Sequence, residues 1–445
     1  MARERKAAIA GALVPLALTL LLFHAQPEPL FSPPVRAAPL GIDWIHYHNY
    51  TEISETLLSL NATYPAIVDV FSIGKSWQNQ TIYCVRLTNE HASNPKPKVL
   101  FVGYHHARER ISAELPLYFV VYAAENYGEN ATVRRLLDLT EIYVVVALNV
   151  DGFETVEENE WHRKTLRPLD EDGDGLFDED LPEDEDKDGH IEELVRWNGA
   201  EWVFVRYEGA DNDGDGLVNE DWKGGVDINR NYGYQWDAPA QSGSQNQSAE
   251  DYRGPAPFSE PETRAIRDLA LKHNFDYAIS FHSGDENIVS PWDYTGTAPP
   301  DEEAFKEVGG ELSRLVSCSL LRGGEWYSTS GTWDDWMYGN QSALSFTCEI
   351  YGNDSAFEYE PCDVQNYSWR KGLTRFFNPD ASEIENTVLR WMPIFFYISN
   401  KAIPAETTFL GVNWKVWLIA AAAIVGAIVS GTVLLRRRKK ANLSA

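Results

Sequence analysis

The chain is predicted to fold as an α/β protein from Ile42 onward, and its length allows one large domain or two to three small ones. Two observations predict this. Short apolar, β-rich runs alternate with helical-period segments along almost all of that stretch, the pattern of strands joined by helices. Several runs are apolar without alternation, as strands covered on both faces must be.

Taken in order, YTEISETLLSLNATYP (50–65) has helical spacing. AIVDVFSIG (66–74) and QTIYCVRLT (80–88) read as strands around a GKSWQN turn. KPKVLFVGY (96–104) is a short apolar run after a Pro-Lys turn, a buried strand. Ser112 is placed to cap the helix AELPLYFVVYAAENYG, and EIYVVVALN (141–149) is another buried strand. Ser259 and Glu262 form a capping box ahead of ETRAIRDLALKHN. FDYAISFHS (275–283) and ALSFTCEIYG (343–352) are two further strands, and SEIENTVLRWMPIFFYISNKA (382–402) is a closing helix. In such folds, strand ends and the loops after them carry the chemistry.

The two ends stand outside this α/β region. Residues 1–23 pair a basic start with an apolar run, so 1–25 reads as a signal peptide or signal anchor, with a linker over 26–41. Residues 416–435 carry no charge and are long enough for a transmembrane helix; a linker (403–415) precedes them and a basic cytoplasmic tail (436–445) follows. The region between them is thus expected at the cell surface, facing outward. Sequons at Asn49, Asn61, Asn79, Asn130, Asn246, Asn340, Asn353 and Asn366 suit a glycoprotein there. Cys84, Cys318, Cys348 and Cys362 could form up to two disulfides, with three pairings open, or stay as buried free thiols.

The net charge of −29 is concentrated: residues 170–221 hold 21 acidic and 3 basic residues. With no basic stripe outside the tail, nucleic-acid binding is excluded. Three related units fill the acidic insertion: DEDGDGLFDED (170–180), DEDKDGHIEE (184–193) and DNDGDGLVNED (211–221). Aspartates at alternate positions followed by glycine resemble calcium loops, although no unit has the glutamate that closes a full twelve-residue loop. The candidate ligands are Asp170, Asp172, Asp174, Asp178, Asp184, Asp186, Asp188, Asp211, Asp213 and Asp215, for two or three Ca2+ ions.

The stretch FVGYHHARERISAE (101–114) contains His106 and Glu109 as an H-x-x-E pair at a strand end. An imidazole and a carboxylate leaving one turn can both reach a zinc ion. His282, at the end of AISFHS, is a candidate third ligand, and no H-E-x-x-H occurs. Singly, each has an ordinary structural reading.

HRKTLRP (162–168), VDINRNY (226–232), YSTSGTWDDW (327–336) and FTCEI (346–350) follow in order around these residues. With them the chain resembles the zinc carboxypeptidases of the carboxypeptidase A/B family, from about Ile42 to Ala402. The resemblance implies one α/β domain with a mixed eight-stranded sheet between helices, and zinc-dependent removal of C-terminal residues from peptides or proteins. It implies that His106, Glu109 and His282 bind one Zn2+, with His105 structural. Glu349 would move the proton and Arg163 would stabilise the oxyanion. Asn229 and Arg230 would hold the substrate carboxylate, Tyr327 would close over it, and Arg108 would line the groove. Asp334, seven residues after Tyr327, falls where the family sets the floor of its specificity pocket, and an aspartate there implies preference for C-terminal Lys or Arg. Gly284 stands where pancreatic members carry tyrosine, which alters one subsite. A cell-wall peptide amidase of the same fold and a non-catalytic, calcium-dependent surface binder are the competing readings. Arg230 and Tyr327 argue against the first, and the intact set His106, Glu109, His282 and Glu349 against the second.

Overall fold

A computed structural model describes residues 42–404, except 93–94, 171–174, 179–181, 185–186, 212–213, 215, 217, 219–223 and 363–364. Its centre is an eight-stranded mixed sheet. The strands are β1 (Val68–Lys75), β2 (Thr81–Leu87), β3 (Lys98–Val102), β4 (Glu141–Val145), β7 (Tyr277–His282), β8 (Asp285–Ser290), β9 (Ser319–Arg322) and β10 (Leu344–Tyr351), in the order β1-β2-β4-β3-β7-β10-β8-β9. The four central strands β4, β3, β7 and β10 run parallel. The interiors of β3 and β7 are buried at nearly every position, so both faces are covered, as their unbroken apolar sequence requires.

Helix α1 (Tyr50–Thr63) starts at a capping box between Asn49 and Glu52. Helix α2 (Ile111–Asn126) is buried along nearly its whole length, and α3 (Ala131–Leu139) is capped by Asn130. Helix α4 (Pro261–His273) packs on β1, where Gly74 lies close to Ala265. Helices α5 (Glu302–Val316) and α6 (Trp333–Gly339) pack on β8 and on β10 and β7 respectively. The closing helix divides into α7 (Ile384–Trp391) and α8 (Pro393–Ala402), because Pro393 cannot donate to the turn before it. Phe395 of α8 meets Phe101, Phe119 and Phe281 at ring separations of 4.5, 4.1 and 5.0 Å, tying α2 and α8 to β3 and β7. Each buried phenylalanine contributes roughly 1.5–3 kcal/mol to this core.

Several expectations are corrected. Ser112 does not cap α2, which begins one residue earlier; its hydroxyl donates to the Glu109 carbonyl at 2.5 Å and accepts from the Tyr104 amide. The Ser259–Glu262 box does not form, since α4 starts at Pro261 and the Ser259 hydroxyl turns to Glu260. Cys84, Cys318 and Cys348 are free thiols, and Cys84 and Cys348 are buried in the sheet. The expected transmembrane helix is not borne out: among the described residues no helix is long and apolar enough to cross a membrane, and 416–435 lies outside them.

The acidic insertion also holds a second sheet that composition concealed. Strands β5 (Glu193–Trp197) and β6 (Trp202–Tyr207) form a hairpin between the second and third acidic units. They join β11 (Glu358–Pro361) and β12 (Tyr367–Lys371) in an antiparallel sheet ordered β11-β12-β5-β6. Trp161, Ile191, Tyr207, Leu373 and Phe377 pack together beneath it, beside the HRKT segment.

Candidate active site

The parallel strands β3, β7 and β10 are neighbours, and their C-terminal ends open on one crevice. His106 and Glu109 leave the turn after β3, His282 is the last residue of β7, and Glu349 lies near the end of β10. Glu349 is the direct register partner of His282. Gly103 lets the chain turn out of β3, for a Cβ there would sit 2.3 Å from the Ser112 carbonyl oxygen.

His106, Glu109 and His282 bring three ligand-type atoms within 4.8 Å of one another, all buried. Glu109 Oε1 lies 2.7 Å from His106 Nδ1 and Oε2 lies 3.0 Å from His282 Nδ1, while the two Nδ1 atoms are 3.2 Å apart. Two ring nitrogens facing each other across a carboxylate form a donor set that suits a cation. His106 Nε2 is engaged on its far side by Asp227 Oδ1 at 3.1 Å, which leaves Nδ1 as the ligating atom. His105 is not in this set: Tyr232 and Ser280 hold its two nitrogens at 3.1 and 3.0 Å, and its ring stacks on His282.

Asp227 was not singled out in the sequence, although it sits inside VDINRNY. It is fully buried and also accepts from Arg163 Nε at 2.9 Å and from the Asn229 amide at 2.9 Å. Burial alone would raise its pKa, but Arg163 and Arg230 hold it well below the usual carboxylate range. Arg163 is thereby fixed beside the donor set, with Nη1 3.7 Å from Glu109.

Asn229, Arg230, Tyr327 and Glu349 line one cleft together with Asp293. Arg230 is anchored through Ser242 and the Asn229 carbonyl, whereas Tyr327 is 40% exposed at the rim. Glu349 Oε2 is buried without a hydrogen-bond partner, and burial pushes the carboxyl up to about 8. Asp334 is fully buried behind the cleft, and the carboxylate that reaches the cleft wall is Asp293, which sequence reading missed.

Arg108 is committed elsewhere. It binds Glu250 in a bidentate pair at 2.9 and 3.2 Å, donates to the Trp161 carbonyl, and lies 4.6 Å over the Phe377 ring. The hydroxyl of Tyr207, at the end of β6, donates to the same Glu250. Burial opposes ionisation of Glu250, but Arg108 and this hydroxyl bring its pKa down to about 2. The second sheet is therefore tied through Tyr207 and Glu250 to Arg108, two residues from His106. Gly284 follows from the same packing: its φ is +132° and a Cβ would stand 2.8 Å from Phe377, so that ring fills the space a side chain would take.

Of the calcium candidates, Asp170, Asp178, Asp184, Asp188 and Asp211 are described, while Asp172, Asp174, Asp186, Asp213 and Asp215 lie outside the described residues. Asp184 accepts from the amides of Lys187, Asp188 and Gly189, and Asp211 from those of Gly214 and Gly216. In the second unit, Lys371 already pairs with Asp188 at 2.8 Å and Glu192 at 3.1 Å.

The chain is similar to known proteins. Carboxypeptidase A1 of Sus scrofa is 25% identical over 344 residues, covering 74% of this chain and 68% of the pig protein. Carboxypeptidase B of Astacus astacus is 27% identical over 324 residues, covering 69% of this chain and 88% of the crayfish protein. The crystal structure of thrombin-activatable fibrinolysis inhibitor superposes with a TM-score of 0.60 at 22% identity, over 81% of this chain and 75% of that one, which supports the fold alone. The family model described as zinc carboxypeptidase matches residues 53–392, a span that contains the buried donor set, the cleft beside it and Glu349, and the chain belongs to that family of metallocarboxypeptidases.

Proposed function

We propose that this metallocarboxypeptidase uses His106, Glu109 and His282 to hold one Zn2+ and removes C-terminal lysine or arginine from peptides or proteins outside the cell. The observation that carries the metal assignment is the convergence of three buried donor atoms, with His106 oriented from behind by Asp227. Bound zinc supplies Lewis acidity toward the scissile carbonyl and makes a water more acidic. Glu349 takes the proton of the attacking water and returns it to the leaving amine. A nearby divalent charge would favour the ionised carboxylate that a base must be. Arg163, held by Asp227, donates to the oxygen on which charge develops. Arg230 and Asn229 fix the terminal carboxylate, and Tyr327 closes over it from its exposed position. Arg108, clamped by Glu250, shapes the groove wall.

The basic preference rests on Asp293 in the cleft wall and Asp334 behind it. Facing a buried carboxylate, a cationic side chain gains a partner, while an apolar one leaves that charge unpaired at a cost of several kcal/mol. Placement outside the cell rests on the apolar N-terminal segment and the sequons. Ca2+ binding by the insertion rests on the alternate aspartates and the amide-wrapped turns at Asp184 and Asp211. The test of the substrate reading compares peptides ending in Arg, Lys, Phe and Leu, with wild type and Asp334→Ile. Arg and Lys peptides are cleaved with the highest kcat/KM by wild type and lose that lead in the variant. Equal or faster cleavage of the Phe peptide by wild type refutes the preference.

A further inference from the structure

The cleft contains more buried acid than the chemistry uses. Asp293 follows β8, while Asp334 and Asp335 form the first turn of α6, and all three are buried. One carboxylate oxygen from each lies within 4.8 Å of the others. The two oxygens of Asp335 accept the amides of Asp293 at 2.9 Å and Tyr294 at 3.1 Å, although burial and the neighbouring Asp334 push its carboxyl well above the usual carboxylate range. Asp293 Oδ1 and Asp334 Oδ2 have no such partner. Among the described residues no lysine or arginine forms an ion pair with any of the three. The groups around Asp293 are Asp334 and Asp335 from α6, Thr332 at the start of that helix, Arg230 and Asn229 along the cleft, and Tyr327 and Glu349 farther along the wall. Carboxylates this close in a dry site cannot all ionise without a cation, so a proton must stand in for one.

We propose that the cluster of Asp293, Asp334 and Asp335 holds one proton while the cleft is empty, and that an entering lysine or arginine side chain displaces it. Recognition of a basic C-terminal residue is then coupled to proton release from the cluster. This rests on the basic preference proposed above. The coupling has a defined sign. At pH values where the cluster still holds its proton, affinity for a basic side chain rises up to ~10-fold per pH unit, and the gain stops once the proton is lost. An apolar side chain, which leaves the proton in place, shows no such slope.

Calorimetry tests this on zinc-loaded Glu349→Gln protein, whose slow turnover leaves the peptide intact during titration and which lacks the other raised carboxyl of the cleft. Two peptides differing only in a terminal Arg or Phe are titrated at a fixed pH near 6, in buffers of different ionisation enthalpy. The Arg peptide is expected to release about one proton more than the Phe peptide, and adding Asp293→Asn or Asp334→Asn removes the difference. The comparison of peptides on the parent protein decides the matter even where a second substitution impairs folding. Tighter binding of the Arg peptide with equal proton release overturns proton sharing and leaves the basic preference standing. Equal or tighter binding of the Phe peptide overturns both. A metal ion held at the three aspartates, detected as a second equivalent beside zinc, also overturns the proposal, because the charge would then be neutralised without a proton.

Discussion

Replacing Asp227 by asparagine should uncouple the metal site from the arginine beside it while changing almost no volume. Asp227 uses both oxygens: Oδ1 faces His106 Nε2 at 3.1 Å and the Asn229 amide at 2.9 Å, and Oδ2 accepts from Arg163 at 2.9 Å. An asparagine keeps one acceptor and turns an amide donor toward either the histidine or the arginine, so one buried contact becomes donor against donor. Removing one partner of a buried ion pair costs ~3–5 kcal/mol. The lower end, about 3 kcal/mol, applies here because Arg163 retains Glu109 at 3.7 Å. Loss of the carboxylate behind a metal-binding histidine should weaken zinc ~10–100-fold, equivalent to ~1.4–2.8 kcal/mol. A displaced Arg163 should lower kcat by a further ~10²–10³-fold even with zinc saturating. Zinc affinity is read by competition with a chromophoric chelator, stability by thermal melting, and kcat on a C-terminal-Arg peptide at saturating metal. Zinc affinity within about twofold of wild type, with kcat within about threefold, would refute the positioning role of Asp227.

Two further outcomes concern stability. The buried ring of His48 bonds to Glu114 at 2.8 Å, and although burial works to lower its pKa, the bond and charge of Glu114 raise it overall. The raised folded-state value means this stabilisation is complete below the ordinary histidine value of about 6.5 and is lost as pH rises through the folded value. Wild type should therefore outlast His48→Gln in thermal melts most clearly near pH 6 and lose that margin by about pH 9; a margin growing with pH contradicts the pairing. Selective removal of calcium should lower the melting temperature and open the 170–221 insertion to proteolysis, since its clustered carboxylates then repel. Unchanged melting curves and no calcium in the purified protein would show that the insertion needs none.

The convergence of His106, Glu109 and His282 was legible in sequence because two of them share one turn and the third ends an apolar strand. Asp227 was not, because side-chain direction in the short turn Ile228–Arg230 depends on where Arg163 and His106 arrive, 64 and 121 residues away in sequence. Asp293 was hidden for a similar reason: only packing against α6 brings it to Asp334. The main sheet follows from apolar runs, but Asp285–Ser290 and Ser319–Arg322 are short and were not read as strands. The second sheet escaped because its hairpin lies between acidic units and its partner strand, Tyr367–Lys371, comes from the far end of the domain. Acidic composition led to the expectation of cation loops and concealed the Tyr207–Glu250–Arg108 link that ties the insertion to the turn after β3.

The central claim is that one zinc at His106, Glu109 and His282 works with Glu349 to cleave at a free C-terminus. The direct measurement is zinc content together with hydrolysis of matched peptides, free or amidated at the C-terminus, by wild type and Glu349→Gln. The account predicts about one zinc per chain in both proteins. It also predicts release of the terminal residue only from the free peptide, and a loss of ~10²–10⁴-fold in the variant. Equal hydrolysis of the amidated peptide, or near-wild-type turnover by zinc-replete Glu349→Gln, would contradict it.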